Sequence, residues 1–425
     1  MLLRIEPLDP LMPRDGRPFD ATPGVSARSM DGVSPGMLSG SLRTWLYKRL
    51  GSLPEGTTSD ILKRVRIAGP LLEWKGHIYY PMPADRIFYE QKGCPRTERL
   101  RPEPLRHGEG YFGMKVEGSR RMELEPPIVN FHGKPYFDSP AYVREDWMFR
   151  ELLNDLSDEE WEHELQRWRN WLRGEAKEQA GKKHDEAAPI NSPFLQPFVK
   201  EQRIHNAIEG STGNTLEGAL FSTEALRYRQ GVSLVVSLDM EDYEFPITFK
   251  GLHSMGGKRR LSSFQELDWP NEQLSPWQCP DQLAERLRGA VTGSLLRMTL
   301  VTPAYFLKGW RPRWIDADSI TNQNLFANWY PDDMKLPNLR LRLRWACVNR
   351  AQPISGWSYS RTAEEGREKP VRRMVPAGSV YIFEILEGNA GILAEHWLAS
   401  VSDTRRRKGP LDREDGFGLA MWGIE

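Results

Sequence analysis

Apolar residues recur along this chain with two different periods, and the switches between them mark out the elements. Residues 2–8 alternate Leu3 and Ile5 with Arg4 and Glu6, the period-two pattern of a short half-buried strand stopped by Pro10. A loop rich in Gly and Pro runs on to Ser34-Pro35, an N-cap and first-turn pair. The helix it opens carries Leu38, Leu42, Trp45, Leu46 and Leu50 on one face, with Gly51 beyond its end. Residues 64–90 read as a hairpin turned at Lys75-Gly76 and closed by Pro81 and Pro83, and 93–135, rich in Gly, Pro and charge, as an irregular insertion. Ser157 and Glu160 fit a capping box, with Trp161, Leu165, Trp168 and Leu172 at helical spacing behind it. The tail of that helix, 174–189, is polar enough to be expected mobile.

Strand patterns resume at 203–210, 215–228 and 233–240, followed by a glycine-rich basic loop inside 245–267. The remainder offers a charged helix at 281–291, strands at 294–306, 339–348 and 378–385, a helix at 389–402 and a last strand behind a second basic, glycine-bearing loop. Both halves thus follow one plan of strand, strand pair, helix, basic loop and strand. The natural reading is an α+β protein of two ferredoxin-like (RRM-like, βαββαβ) modules, 1–270 and 271–425, the first enlarged by an insertion at about 52–200. The first helix of the second module is the least visible element.

Composition narrows the function more by exclusion than by assignment. Lys and Arg total 58 and Asp and Glu 58, so no chain-wide positive field draws it to nucleic acid or an anionic membrane, and any RNA surface must be local. Cys94, Cys279 and Cys347 lie far apart with no CxxC spacing, which fits neither a disulfide framework nor a zinc cage. No cofactor is expected. Charges at Arg4, Glu6 and Asp9 break up the N-terminus, and no later stretch suits a bilayer, so a soluble, cytoplasmic protein without membrane contact is expected.

Eight segments taken in order carry a resemblance: EPLDPLMPRDGRPF, SPGMLSGSLRTWL, GPLL with YYPMPAD, RIHNAIEG with GALFSTEALR, LHSMGGKRR, TPAYFLKGWRP, PAGSVYIFE and GFGLAMWG. Together they resemble the RAMP superfamily of CRISPR proteins, and within it the handle-binding third subunit of the type III-B Cmr complex. The likeness spans nearly the whole chain except roughly 93–195. It implies two ferredoxin-like modules gripping the repeat-derived five-prime handle of the crRNA, with the Cas10-type large subunit and the first RAMP backbone subunit as neighbours. It also implies positioning without catalysis.

Several clusters suit that role by their own chemistry. Gly256 and Gly257 let backbone N–H groups approach phosphate next to Lys258, Arg259 and Arg260. The run is not a nucleotide P-loop, since the spacing from Gly251 is too long and Arg259 replaces the metal-binding hydroxyl. Arg405, Arg406, Arg407 and Lys408 precede Gly416, Phe417 and Gly418, a cationic run close to a ring, the combination that binds single-stranded RNA. Period two sets Leu341, Leu343 and Trp345 on one strand face and Arg340, Arg342 and Arg344 on the other. Lys308 and Arg311 sit among Trp310 and Trp314, and Arg43, with Ser39 and Gly40, lies early in the first helix, where a phosphate is favoured. Arg14 and Arg17 in the preceding loop complete the candidates. For each, ordinary solvated charge or core packing is the competing explanation.

Two other functions stay open. A metal-dependent endoribonuclease would draw on an aspartate between first strand and first helix, where Asp15, Asp20 and the best-placed Asp31 lie, although Asp-Gly is also a common turn pair. The eight histidines show no catalytic spacing, and His205 reads as a satisfied strand-end residue. A protein-binding scaffold would dock a neighbour through the acidic 151–164 helix and Trp161, Trp168 and Trp171, although such tryptophans more often pack their own helix.

Overall fold

The computed structural model describes the chain except for residues 15–25, 50–61, 63, 107–112, 116–120, 128–132, 137, 179–185, 190, 240–248, 271–272, 316–320, 322–338, 359–366 and 404–413. The architecture is mixed α/β, with many strands and few helices. Strand β1 (Leu2–Pro7), helix α1 (Pro35–Arg49) and hairpin β2–β3 (Arg66–Trp74, His77–Pro81) come first. Next are hairpin β4–β5 (Arg86–Gln91, Cys94–Arg99), β6 (Tyr142–Arg144), α2 (Glu145–Leu152), α3 (Asp158–Glu178) and β7 (Phe194–Leu195). A long hairpin β8–β9 (Phe198–Ile208, Thr215–Tyr228) leads to β10 (Val232–Asp239) and hairpin β11–β12 (Lys250–Met255, Arg260–Glu266). The rest supplies α4 (Asp281–Arg288), β13 (Leu295–Leu300), β14 (Arg340–Cys347), the pair β15–β16 (Gln352–Ile354, Arg372–Met374), β17 (Val380–Glu387), α5 (Ile392–Glu395) and β18 (Ala420–Ile424).

An eight-stranded sheet runs β7-β6-β3-β2-β10-β1-β12-β11, and a four-stranded sheet β14-β17-β13-β18. In β2-β10-β1-β12 and again in β14-β17-β13-β18 the strands stand second, third, first and fourth in their own half, all neighbours antiparallel. Helix α1 follows the first strand as its apolar spacing predicts. Between β10 and β12 the described residues hold strand β11 instead of a helix, and between β13 and β14 they hold none. In the second half α4 precedes β13 and packs on β18 and α5.

The period-two reading of β1 explains its setting. Leu3 and Ile5 are fully buried, Ile5 lies across from Leu234 and Phe264, and Trp45 of α1 stands 5.5 Å from the Phe264 ring. Ser34 caps α1 by accepting the Met37 N–H at 3.2 Å. The capping box of α3 is reciprocal: Glu160 accepts the Ser157 N–H at 3.0 Å, and the Ser157 hydroxyl accepts the Glu160 N–H at 3.3 Å. Several expected boundaries differ: the 64–90 hairpin ends at Pro81, with Arg86–Gln91 pairing the next strand, the strand expected from 203 begins at Phe198, and the helix expected over 281–291 ends at Arg288. Cys94–Arg99 is a strand within the supposedly irregular insertion; Thr97 and Arg99 point inward, and their polar partners, not apolar alternation, hold them there. The helix expected over 389–402 shrinks to α5, because Leu398 takes φ 54° and the chain turns so that the Leu398 N–H donates to the Ala420 carbonyl. The strand expected over 294–306 stops at Leu300, ahead of Pro303. Residues 179–185 of the segment expected to be mobile lie outside the described residues.

A buried ionic network ties the insertion to the second sheet. Asp85 and Arg297 are fully buried, and the Arg297 Nε–H donates to Asp85 at 2.7 Å. Arg86 donates to both oxygens of Glu151 at 3.0 and 3.1 Å, and Arg99 reaches Glu425 at 2.6 Å. Burial alone would raise the Asp85 carboxyl, but the charge and hydrogen bonds of Arg297, with Arg99 and Arg86 beside it, hold it below its ordinary range.

The loop into β18 is set by backbone contact. Gly416 has φ 92°, and a Cβ there would lie 2.6 Å from the Gly69 carbonyl oxygen and 2.9 Å from that of Ile67. Gly416→Ala is therefore expected to destabilise by about 1–3 kcal/mol, seen as a lower urea midpoint with an unchanged denaturant slope.

Candidate RNA interface

Hairpin β11–β12 turns through Gly256–Arg260. Gly256 takes φ 75°, Lys258 57° and Arg259 49°, so the turn spends three residues in the left-handed region. Its tip is pinned: the Gly257 N–H donates to the Met12 carbonyl at 3.1 Å, and a Cβ on Gly256 would meet Met37 Sδ at 3.0 Å. Lys258 and Arg259 are exposed and Arg260 half-buried. Arg14 is exposed two residues beyond Met12 and bridges to Ser29. The sequence-derived cluster Arg14, Gly256, Gly257, Lys258, Arg259 and Arg260 therefore belongs to one anchored corner of the protein.

Hairpin β8–β9 adds His205, read from the sequence as a satisfied strand-end histidine and in fact partnered by Thr223, and Phe221, which the sequence did not offer as an RNA contact. His205 lies within β8, stacked on Phe221 at 5.1 Å between centroids, and its Nε2 is 2.9 Å from the Thr223 hydroxyl. Burial, then the positive charges of Lys258, Arg203 and Arg260, hold the imidazole below its ordinary range, so it is neutral at neutral pH. Arg203 pairs with Glu201 at 2.9 Å. Lys258 and Arg260 of the glycine turn thus lie near enough to His205 for their charge to act on it. The same hairpin exposes an apolar side, with Ile204 at 75% and Ile208 at 66% of their accessible surface. Pairing of His205 with Phe221 across strands has no local sequence signal beyond period two.

Other candidates are placed differently. Arg43 points into the protein, where it binds Asp415 and donates to the backbone carbonyls of Leu62, Val65 and Glu414. Ser39 is buried, while Gly40 is open to solvent. Burial pushes the Asp415 carboxyl up against the pull of Arg43 and Ser39. Phe417 is 2% exposed and packs with Met30, Ile354 and Met374, so its faces are not presented for stacking, and Gly416 and Gly418 serve close backbone approach. Arg344 is held by Glu125 and, at 3.0 Å, by Glu384; the backbone of Arg342 pairs with that of Thr321, and Arg340 is exposed. Thus one cation of the β14 stripe, Arg344, is taken up by acids from neighbouring segments, Glu125 and Glu384 of β17. Lys308 is exposed, its backbone paired with that of Arg311, while the Trp314 indole is buried and donates to the Val401 carbonyl at 3.0 Å. Arg17, Asp15, Asp20 and Arg405, Arg406, Arg407 and Lys408 lie outside the described residues.

Asp31 is exposed and ion-paired, its carboxylate 2.7 Å from Lys200, which also reaches Glu224 at 3.5 Å. Among the described residues no three His, Cys, Asp or Glu side chains converge to hold a metal ion. Trp161 and Trp168 face the core, with the Trp161 ring stacked 5.9 Å from Phe194 and Trp171 packed against Trp168 at 4.9 Å. The tryptophan cluster proposed for docking is the packing face of α3. No described helix is long and apolar enough to cross a membrane.

Among solved structures, the chain is similar to one in the type III-B Cmr-beta complex bound to cognate target RNA and AMPPnP, at 14% identity, over 92% of this chain and 87% of that one, with a TM-score of 0.42. It is also similar to a chain of the Csm3-Csm4 subcomplex of the type III-A CRISPR-Cas interference complex, at 10% identity, over 91% and 94% of the two chains, with a TM-score of 0.36. No curated protein matches it. The model of the CRISPR-associated protein family Cas_Cmr3 matches residues 3–425. Matched over nearly its full length, the chain belongs to the Cas_Cmr3 family of CRISPR-associated proteins.

Proposed function

We propose that this chain is the non-catalytic subunit of a type III-B CRISPR effector complex that holds the five-prime handle of the crRNA and bridges the Cas10-type large subunit to the RAMP backbone, in the cytoplasm. The observation that carries this reading is the corner formed by Gly256–Arg260 and the His205–Phe221 stack. The exposed cations Lys258 and Arg259 suit phosphate, and the half-buried His205 ring suits an unstacked base. A neutral chain needs such a local site to bind RNA at all. The repeated strand order supports two ferredoxin-like modules, divided near residue 270. The apolar side of the β8–β9 hairpin suits a protein neighbour.

Guide RNA incubated with the chain and magnesium is expected to remain full-length on a denaturing gel for both the parent and Asp31→Ala. Cleavage by the parent that disappears in Asp31→Ala would replace positioning with nuclease chemistry.

A further inference from the structure

The eight-stranded sheet carries a polar cavity on the face turned away from α1. Leu3 and Ile5 lie buried on the α1 side of β1, so period two sends Arg4 and Glu6 to the other side, where Gln265 of β12 stands across from Arg4. With Glu73, Lys75, Glu186 and Gln230 they line a cavity of about 580 Å³ that shares no residue with the basic corner. It is open, since Glu6, Lys75, Glu186, Gln230 and Gln265 are all exposed.

A buried carboxylate holds the arginine in place. Glu73 is 5% exposed; its Oε1 accepts the Gly76 N–H at 2.8 Å, and its Oε2 accepts the Ser233 hydroxyl at 2.6 Å and lies 3.2 Å from Arg4 Nε. That contact uses only the Nε side of Arg4, and no hydrogen bond or ion pair among the described residues engages its two terminal amino groups. Lys75 lies against Trp74, its Nζ 4.3 Å from the ring centroid, and the Glu6 and Glu186 carboxylates have no ion pair among the described residues. Charge and lining together select the ligand. An apolar visitor would desolvate these groups without compensation. Two cations stand against three carboxylates, so a polyanion such as an RNA backbone is not favoured. A single carboxylate received by the Arg4 fork, with a cation a few bonds away for Glu6 or Glu186, satisfies both signs.

We propose that this cavity binds a zwitterion, a carboxylate joined to an ammonium or guanidinium group, supplied by a free amino acid or by the paired charges of a peptide segment. Calorimetric titration of the purified full chain with aminocaproate, caproate and hexylamine separates the two charges on one carbon skeleton. Aminocaproate is expected to bind, and the other two about ten-fold more weakly or not at all. Arg4→Lys, which keeps the charge but loses the fork, and the double variant Glu6→Gln with Glu186→Gln are each expected to weaken aminocaproate about ten-fold. A blocked peptide carrying one Glu and one Lys distinguishes the sources: competition with aminocaproate assigns the zwitterion to a protein segment, and its absence to a free amino acid. No binding of aminocaproate, equal binding of caproate or hexylamine, parental affinity in both variants, or adenosine monophosphate binding in its place would overturn the proposal. Glu6 and Glu186 are exposed and unpaired, so their double variant is expected to melt with the parent, which keeps a folding defect at Arg4 from being counted as lost binding.

Discussion

Asp85→Ala is expected to destabilise the protein by about 3–5 kcal/mol, because it strands a fully buried Arg297 guanidinium whose main partner is gone. That is a large share of the roughly 5–15 kcal/mol by which a folded protein exceeds its unfolded chain. The urea midpoint should fall sharply, with loss of soluble protein on expression. The double variant Asp85→Ala with Arg297→Met removes the charge together with its partner and is expected to recover part of the loss. If the two substitutions simply add, the pair is not coupled as the geometry requires. Acid should act in the same sense. Asp85 and Glu151 both sit below their ordinary range through the neighbouring arginines. Their contribution is present above the unfolded-state value, near 4, and is lost as pH falls through the lower folded values. A denaturant midpoint that does not decline on acidification would contradict this.

Neutralising Lys258, Arg259 and Arg260 together is expected to weaken handle RNA binding by about 10–100-fold and to flatten its salt dependence by up to about two units of slope, if each cation meets one phosphate of a single strand. Lys258 and Arg259 are exposed, so this loss should come with little change in stability. His205→Ala tests the other half of the corner. Removing a stacking face should weaken binding while leaving the salt slope in place, which separates ring contacts from charge contacts. Equal salt slopes for the triple variant and the parent would move the phosphate contacts elsewhere.

The sequence announced those parts of the fold in which local pattern and tertiary setting agree. Leu3 and Ile5 alternate because one face of β1 meets α1, and Ser34, Ser157 and Glu160 signal helix starts because capping is a local hydrogen-bonding event. Hairpin β4–β5 was not legible, since its inward residues include Thr97 and Arg99, made buriable by partners distant in the chain such as Glu425. The ionic network was hidden for the same reason: Asp85, Glu151 and Arg297 resemble surface residues until the fold brings them together. At the candidate site the glycine turn was readable because its conformation is written in Gly256 and Gly257. The inward course of Arg43 was not, because Asp415 lies hundreds of residues away. Phe417 illustrates the converse, an aromatic near a basic run whose ring the core has already taken.

The most direct test of the positioning role is the affinity of the purified chain, alone and with its complex partners, for guide RNA carrying an intact or a scrambled five-prime handle, at two salt concentrations. The handle-binding account predicts tighter, salt-sensitive binding to the intact handle, lost when Lys258, Arg259 and Arg260 are neutralised. Equal affinity for intact and scrambled handles, in the presence of the partners, would contradict it.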